Sequence, residues 1–145
     1  MKLIALTNQK GGVGKTTSTI NIGVGLANMG KRVLLIDLDP QANLTYSLGL
    51  AAHELDKTVY EVLKGEVKAK DALIQTHGVS LLPSSLSLSG AEIELSGVAG
   101  REFLLKEALS GAGEFDYTLL DCPPSLGLLT LNALTTAKEI QIQRW

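Results

Sequence analysis

Residues 10 to 17, Lys10-Gly11-Gly12-Val13-Gly14-Lys15-Thr16-Thr17, form a glycine-rich loop bracketed by lysines and set between an apolar run and a helix-compatible stretch. Leu3-Ile4-Ala5-Leu6 reads as a short buried strand, and the residues after Thr16 keep helical spacing without proline until Gly30. Strand, loop and helix in that order are the context a phosphate-binding loop requires. Glycines at 11, 12 and 14 allow successive backbone N–H groups to turn inward around an anion, and the helix N-terminus adds its own free donors and partial positive charge. The backbone from Gly11 through Val13 and Gly14 to Thr17 is therefore the expected phosphate cradle. Lys15 is placed to reach β- and γ-phosphate oxygens, and the Thr16 hydroxyl suits a Mg²⁺ that keeps several waters. The ligand expected is a nucleoside triphosphate with Mg²⁺.

What surrounds the loop has to supply a core. Only 4% of the 145 residues are aromatic, so the interior must be built from Leu, Ile, Val and Ala, which fits parallel strands covered by helices better than an all-β sandwich. The expected fold is a three-layer α/β/α arrangement on a mostly parallel sheet, and no linker, repeat or low-complexity stretch divides the chain. Formal net charge is −2 with Lys and Arg scattered, so no basic block marks a nucleic-acid or anionic-membrane surface. One cysteine excludes an internal disulfide framework and a CxxC site. The apolar stretches are strand-sized, which predicts no membrane span and a cytoplasmic location.

Further elements follow from pattern. A helix runs to about Met29 and is stopped by Gly30; Val33-Leu34-Leu35-Ile36 is a second buried strand. Thr58 to Glu61 has capping-box spacing and opens a short helix ended by Gly65, and a helix is expected around Val67 to Thr76. Val79 to Leu82 before Pro83 reads as the third strand, Ser89 to Glu92 repeats the capping-box spacing, and Arg101 to Leu109 is helical. Tyr117 to Leu120 is the fourth strand, an apolar helix follows over Leu126 to Leu134, and Ile140 with Ile142 begins another strand.

Asp37 and Asp121 each end an apolar strand, and the carboxyl ends of parallel strands form the ligand crevice. Asp121 is the candidate carboxylate for the Mg²⁺ shell. Asp39, two residues beyond Asp37, points to the same side of an extended chain and can place a water near the γ-phosphate, while Asp37 supports the metal shell or the loop. Taken singly, each Asp is as readily a cap for the turn that follows; the glycine-rich loop tips the reading toward chemistry.

Together these residues resemble a known family. Lys10-Gly-Gly-Val-Gly-Lys15-Thr-Thr is similar to the deviant Walker A loop, and the chain resembles the ParA/Soj-type partitioning ATPases. The resemblance extends through Leu35-Ile36-Asp37-Leu38-Asp39-Pro40-Gln41-Ala42-Asn43, Leu82-Pro83-Ser84-Ser85, Gly90-Ala91-Glu92-Ile93-Glu94-Leu95 and Asp121-Cys122-Pro123-Pro124-Ser125-Leu126-Gly127. It implies an ATPase of chromosome or plasmid segregation that dimerises with ATP, in which Lys10 reaches across to phosphates bound by the partner and Lys15 and Thr16 act within their own subunit. By the same resemblance Asp39 positions the attacking water, Asp37 assists near the metal, and Asp121 is the Walker B carboxylate. Family partners would be a ParB-like centromere-binding protein and nonspecific DNA, with no membrane, and nucleoid association if the full family function is retained.

The resemblance runs from Lys2 to about Glu139 and does not include Arg144-Trp145, whereas members of that family continue for roughly another domain's worth of sequence. Residues 1–145 thus read as one P-loop ATPase domain, incomplete at its C-terminus, with the family's adenine-contacting loop and basic DNA surface belonging to the remainder. Two alternatives keep the fold and change the function: a non-hydrolysing interaction module, and a MinD-like cell-division ATPase, which would ordinarily carry an amphipathic C-terminal helix. Cys122 reads as a small buried residue beside the site, and His53 and His77 as loop histidines without metal spacing.

Overall fold

The computed structural model describes residues 2–7 and 14–142 of the chain, the side chains of 140–142 excepted. Six strands form one sheet: β1 (Lys2–Thr7), β2 (Val33–Asp37), β3 (Ile74–Thr76), β4 (Val79–Leu82), β5 (Tyr117–Asp121) and β6 (Glu139–Ile142), in the order β3-β4-β2-β5-β1-β6. All neighbouring pairs are parallel except β3 with β4. The helices are α1 (Lys15–Asn28), α2 (Asn43–Ser47), α3 (Val59–Leu63), α4 (Ala69–Ala72), α5 (Ala91–Glu94), α6 (Leu104–Leu109) and α7 (Leu128–Thr136). This is the three-layer, mostly parallel α/β/α architecture expected.

The layers follow from the period of two along each strand. Val33 and Leu35 of β2, Leu119 of β5 and Leu6 of β1 join the apolar cluster packed by α1 and α2. Leu34 and Ile36, Leu120 and Ala5 point the other way, into a larger cluster with Val59 and Val62 of α3, Leu105 of α6 and Ala133 of α7. Strands buried on both faces read as unbroken apolar runs, which is why β2 is buried at all five positions. Helix α1 turns Lys15, Thr19 and Gly23 inward, four apart. It lies so close to β2 that a Cβ on Gly23 would sit 2.7 Å from Leu35 Cδ2.

Three local expectations are corrected. The stretch from Val67 to Thr76 is a helix only over Ala69–Ala72, and then becomes strand β3. β3 and β4 are joined by His77 (φ 51°) and Gly78 (φ 79°), two successive left-handed residues that fit the tight hairpin turn matching strand twist. The capping-box spacing at Ser89 forms no side-chain cap; a 3₁₀ turn over Leu86–Gly90 leads into α5 and Glu92 bonds elsewhere. The apolar helix after Pro124 begins at Leu128, leaving Leu126 exposed. The Thr58 capping box is present, with the hydroxyl accepting from Tyr60 N and the Thr58 amide donating to Glu61 Oε1 at 2.8 Å.

Candidate functional site

Strands β2 and β5 are parallel neighbours in a register that sets Asp37 directly opposite Asp121. Counting back by two from each gives Leu35 and Leu119, which face α1 and α2, so both carboxylates project to that side of the sheet at its carboxyl end. Leu38 N donates to Asp121 O at 2.9 Å and Cys122 N to Leu6 O at 3.2 Å, so the three central strand ends β2, β5 and β1 are stitched together beneath the site.

Gly14 caps α1 at φ 71°, a left-handed conformation that favours glycine, and the helix begins at Lys15. Lys15 Nζ lies 2.5 Å from Asp121 Oδ1, and Thr16 Oγ1 donates to Asp121 Oδ2 at 2.9 Å. Both Asp121 oxygens are thus engaged by the first two residues of α1. Thr19 Oγ1 donates back to Lys15 O at 2.9 Å and steadies that first turn.

Asp37 is fully buried and held by a different set of donors. Its Oδ1 accepts from Asp39 N at 3.1 Å, and its Oδ2 accepts from Thr45 N at 3.0 Å and Thr45 Oγ1 at 2.7 Å. The Thr45 hydroxyl in turn accepts from Ser84 N at 3.0 Å, and Ser84 Oγ donates to Asp39 O at 2.7 Å. A closed polar ring therefore fixes the backbone of Asp39 from three elements. Asp39's own Oδ1 accepts from Gln41 N at 3.0 Å, folding the turn through Pro40 into Ala42, whose φ of 57° is left-handed although it is not glycine. Such a conformation persists only where its surroundings over-determine it, and here the ring does so.

A cleft of about 340 Å³ opens over these groups, lined by Gly14, Lys15, Thr16, Thr17, Asp39, Gln41, Asn43, Ser47 and Pro124. Burial pushes the Asp37 carboxyl up to about 7, with the neighbouring Asp121 charge adding to it and the Thr45 and Asp39 donors opposing it. Burial likewise raises Asp121 against the pull of Lys15 and Thr16. Cys122 is buried, and its thiol is pushed up to about 12, which makes it an inert neighbour.

The described residues bring together Gly14, Lys15, Thr16, Thr17, Asp39 and Asp121, with Asp37 behind them. Lys10, Gly11, Gly12 and Val13 lie outside the described residues. Thr16 and Asp121 offer two hard oxygens side by side, and among the described residues no three His, Cys, Asp or Glu side chains converge into an all-protein metal cage. That donor set fits Mg²⁺, which dehydrates reluctantly and takes one or two protein oxygens with phosphates and water. Sequence reasoning missed Thr45 and the structural part played by Ser84. Neither carries a local signal, since Thr45 stands eight residues from Asp37 and Ser84 thirty-nine from Thr45.

The sequence matches the AAA domain family over residues 1–144. It is 47% identical over 144 residues to the sporulation initiation inhibitor protein Soj of Bacillus subtilis, covering 97% of this chain and 57% of Soj. To the chromosome partitioning protein ParA of Caulobacter vibrioides it is 46% identical over 145 residues, covering 97% of this chain and 54% of ParA. The chain spans a little over half the length of these curated relatives. Among solved structures, cobyrinic acid a,c-diamide synthase from Mycobacterium smegmatis with bound ATP analog and magnesium superposes with a TM-score of 0.93 at 49% identity, covering 98% of this chain and 59% of that one. The architecture is accordingly that of the P-loop NTPase fold.

Proposed function

The chain belongs to the AAA domain family, and on that premise we propose that it is a ParA/Soj-like partitioning ATPase, binding ATP with Mg²⁺ and hydrolysing it to ADP and phosphate. What supports this reading is that Lys15 and Thr16, which line the cleft together with Asp39, converge on the buried Asp121. Mg²⁺ would neutralise charge developing on the transferring phosphoryl group, held by Thr16 and the Asp121 carboxylate.

In this reading Lys15 exchanges Asp121 for the β- and γ-phosphate oxygens, and Asp121 becomes free to support the metal shell. The backbone amides from Gly11 to Thr17 cradle the phosphates. Asp39 orients the attacking water. Asp37, whose two oxygens already serve Asp39 N and Thr45, acts by holding Asp39 in place. Lys10 reaches the phosphates of a second subunit, so that nucleotide favours a homodimer and hydrolysis resets it. A ParB-like centromere-binding protein and DNA are the proposed partners of such a cycle, in the cytoplasm or on the nucleoid. Among the described residues no helix is long and apolar enough to cross a membrane.

The test is MgATP calorimetry with phosphate release on the purified chain beside Lys15→Ala and Asp39→Ala. Binding lost in the first variant, and turnover lost with binding kept in the second, would support the reading. Binding without turnover in the parent chain would leave the non-hydrolysing interaction module. A second reading, ATP-driven amide synthesis, is favoured by the likeness to the diamide synthase structure. It predicts that phosphate release needs a carboxylic acid co-substrate, whereas the partitioning ATPase turns over ATP without one.

A further inference from the structure

Helix α7 begins without a cap of its own. Its N-cap residue Gly127 has no side chain to offer, and the Leu128 amide donates instead to Glu92 Oε1 of α5 at 2.6 Å, thirty-six residues away in sequence. A helix N-terminus presents unpaired donors and partial positive charge, and a carboxylate brought from another element answers both. Gly127 has an extended backbone, φ −80° and ψ −165°, that any residue can adopt. Its lack of a side chain matters for room, because a Cβ there would lie 1.6 Å from Glu92 Oε1 and 2.7 Å from its carboxyl carbon.

Helix α5 is held on its other side as well. Tyr60 OH of α3 donates to Glu94 Oε2 at 2.6 Å, and Lys64 Nζ stands 3.5 Å from the same oxygen and 4.8 Å from the centre of the Tyr60 ring. Through Glu92 and Glu94, α5 therefore links α3 to the start of α7. The segment delivered to α7 starts at Asp121, passes Pro124 on the wall of the cleft, and is steadied midway by Thr130 Oγ1 donating to Ser125 O at 2.5 Å.

We infer that Glu92 is a positioning residue for the nucleotide cleft: by capping α7 from α5 it fixes the segment from Cys122 to Gly127 and so the Pro124 wall beside Asp121 and Asp39. Glu92 touches no reacting atom in this scheme. It acts by keeping this connection in one geometry, and small displacements at such walls cost rate more than affinity. The kinetic part rests on the ATPase reading above; the structural part does not.

The experiment compares the full chain with Glu92→Gln, Glu92→Ala, Gly127→Ala and the Glu92→Ala/Gly127→Ala double variant. Amide hydrogen exchange over residues 122–128, MgATP affinity, phosphate release and Tm are measured on each. Glu92→Ala and Gly127→Ala should each speed exchange in that segment about tenfold and lower kcat about tenfold, with MgATP affinity within about threefold of the parent. The double variant should be no worse than either single, since both remove one contact, and Glu92→Gln should fall between, since its amide oxygen still accepts. Exchange within about twofold of the parent in both single variants, effects that add in the double, or a raised KM at unchanged kcat would each overturn the inference. A fall in Tm with exchange over 122–128 and kcat both unchanged would also overturn it. If the parent turns over no ATP, the ATPase reading falls, and the exchange data alone decide on Glu92 by the same thresholds.

Discussion

Lys15 and Asp121 form a buried ion pair, Nζ to Oδ1 at 2.5 Å, with side chains only 5% and 1% exposed. Such a pair adds little net stability while both partners are present, because each charge has left water; removing one partner is costly, because the other stays buried and uncompensated.

Lys15→Ala should therefore act twice. MgATP affinity should fall by about 100-fold or more, since a charge on the phosphates is lost. Without nucleotide, stability should fall by about 3–5 kcal/mol, because Asp121 loses its cation. Calorimetry reads the first effect and denaturant unfolding the second. A variant as stable as the parent would show that the pair does not carry the buried carboxylate.

Asp37 gives a pH dependence of definite sign. Its carboxyl, ordinarily at 3.8, is pushed up to about 7 in the folded chain. Between those values the folded state holds a proton that the unfolded state has released, so this contribution is fully present below about pH 4 and is lost as pH rises through 7. The full span corresponds to about 4 kcal/mol. Unfolding of the nucleotide-free chain at pH 5, 6, 7 and 8 should show stability falling, and Asp37→Asn should flatten that slope. The variant will be less stable at low pH, because one amide oxygen cannot accept from Asp39 N, Thr45 N and Thr45 Oγ1 together.

Asp39→Ala should reduce phosphate release by about 100-fold or more while MgATP binding changes little, the pattern of a group needed to position or deprotonate water. Steady-state turnover beside calorimetry separates the two quantities. Equal losses in both would assign Asp39 to the shape of the turn it makes with Gln41 rather than to the water.

Thr58→Ala removes the side-chain half of the α3 capping box, keeps the backbone amide that donates to Glu61 Oε1, and leaves Glu61 without the hydroxyl it accepts from at 2.7 Å. A loss of about 1–2 kcal/mol in denaturant unfolding is expected, with nucleotide binding unchanged.

The parts of this fold legible in the sequence are those decided locally. Strands β2 and β5 are buried on both faces, β1 at Ala5 and Leu6, and all three announce themselves as apolar runs; Gly30 stops α1, and Asp37 and Asp121 mark the strand ends where polar groups are admitted. Where a distant partner decides, local pattern fails. Ser89 and Glu92 have the right spacing for a cap, but the Leu128 amide takes Glu92 instead. The strand at the end of Val67 to Thr76 carries a usable signal in His77-Gly78, a hairpin turn that requires extended chain before it. In the site, Lys15, Thr16 and Asp121 were legible from chemistry, whereas the Thr45 and Ser84 ring exists only through contacts across the chain.

The position of β1 bears on how the molecule comes to exist. β1 is an interior strand of the sheet, flanked by β5 at residues 117–121 and β6 at residues 139–142. On the ribosome it has neither neighbour until residues 117–121 have been synthesised, so Lys15 has no Asp121 until then. Nucleotide cannot template early folding here. The waiting segment is apolar, with every backbone donor and acceptor of a strand exposed, which makes the interval before β5 emerges the time when a chaperone or a neighbouring chain competes most strongly for it.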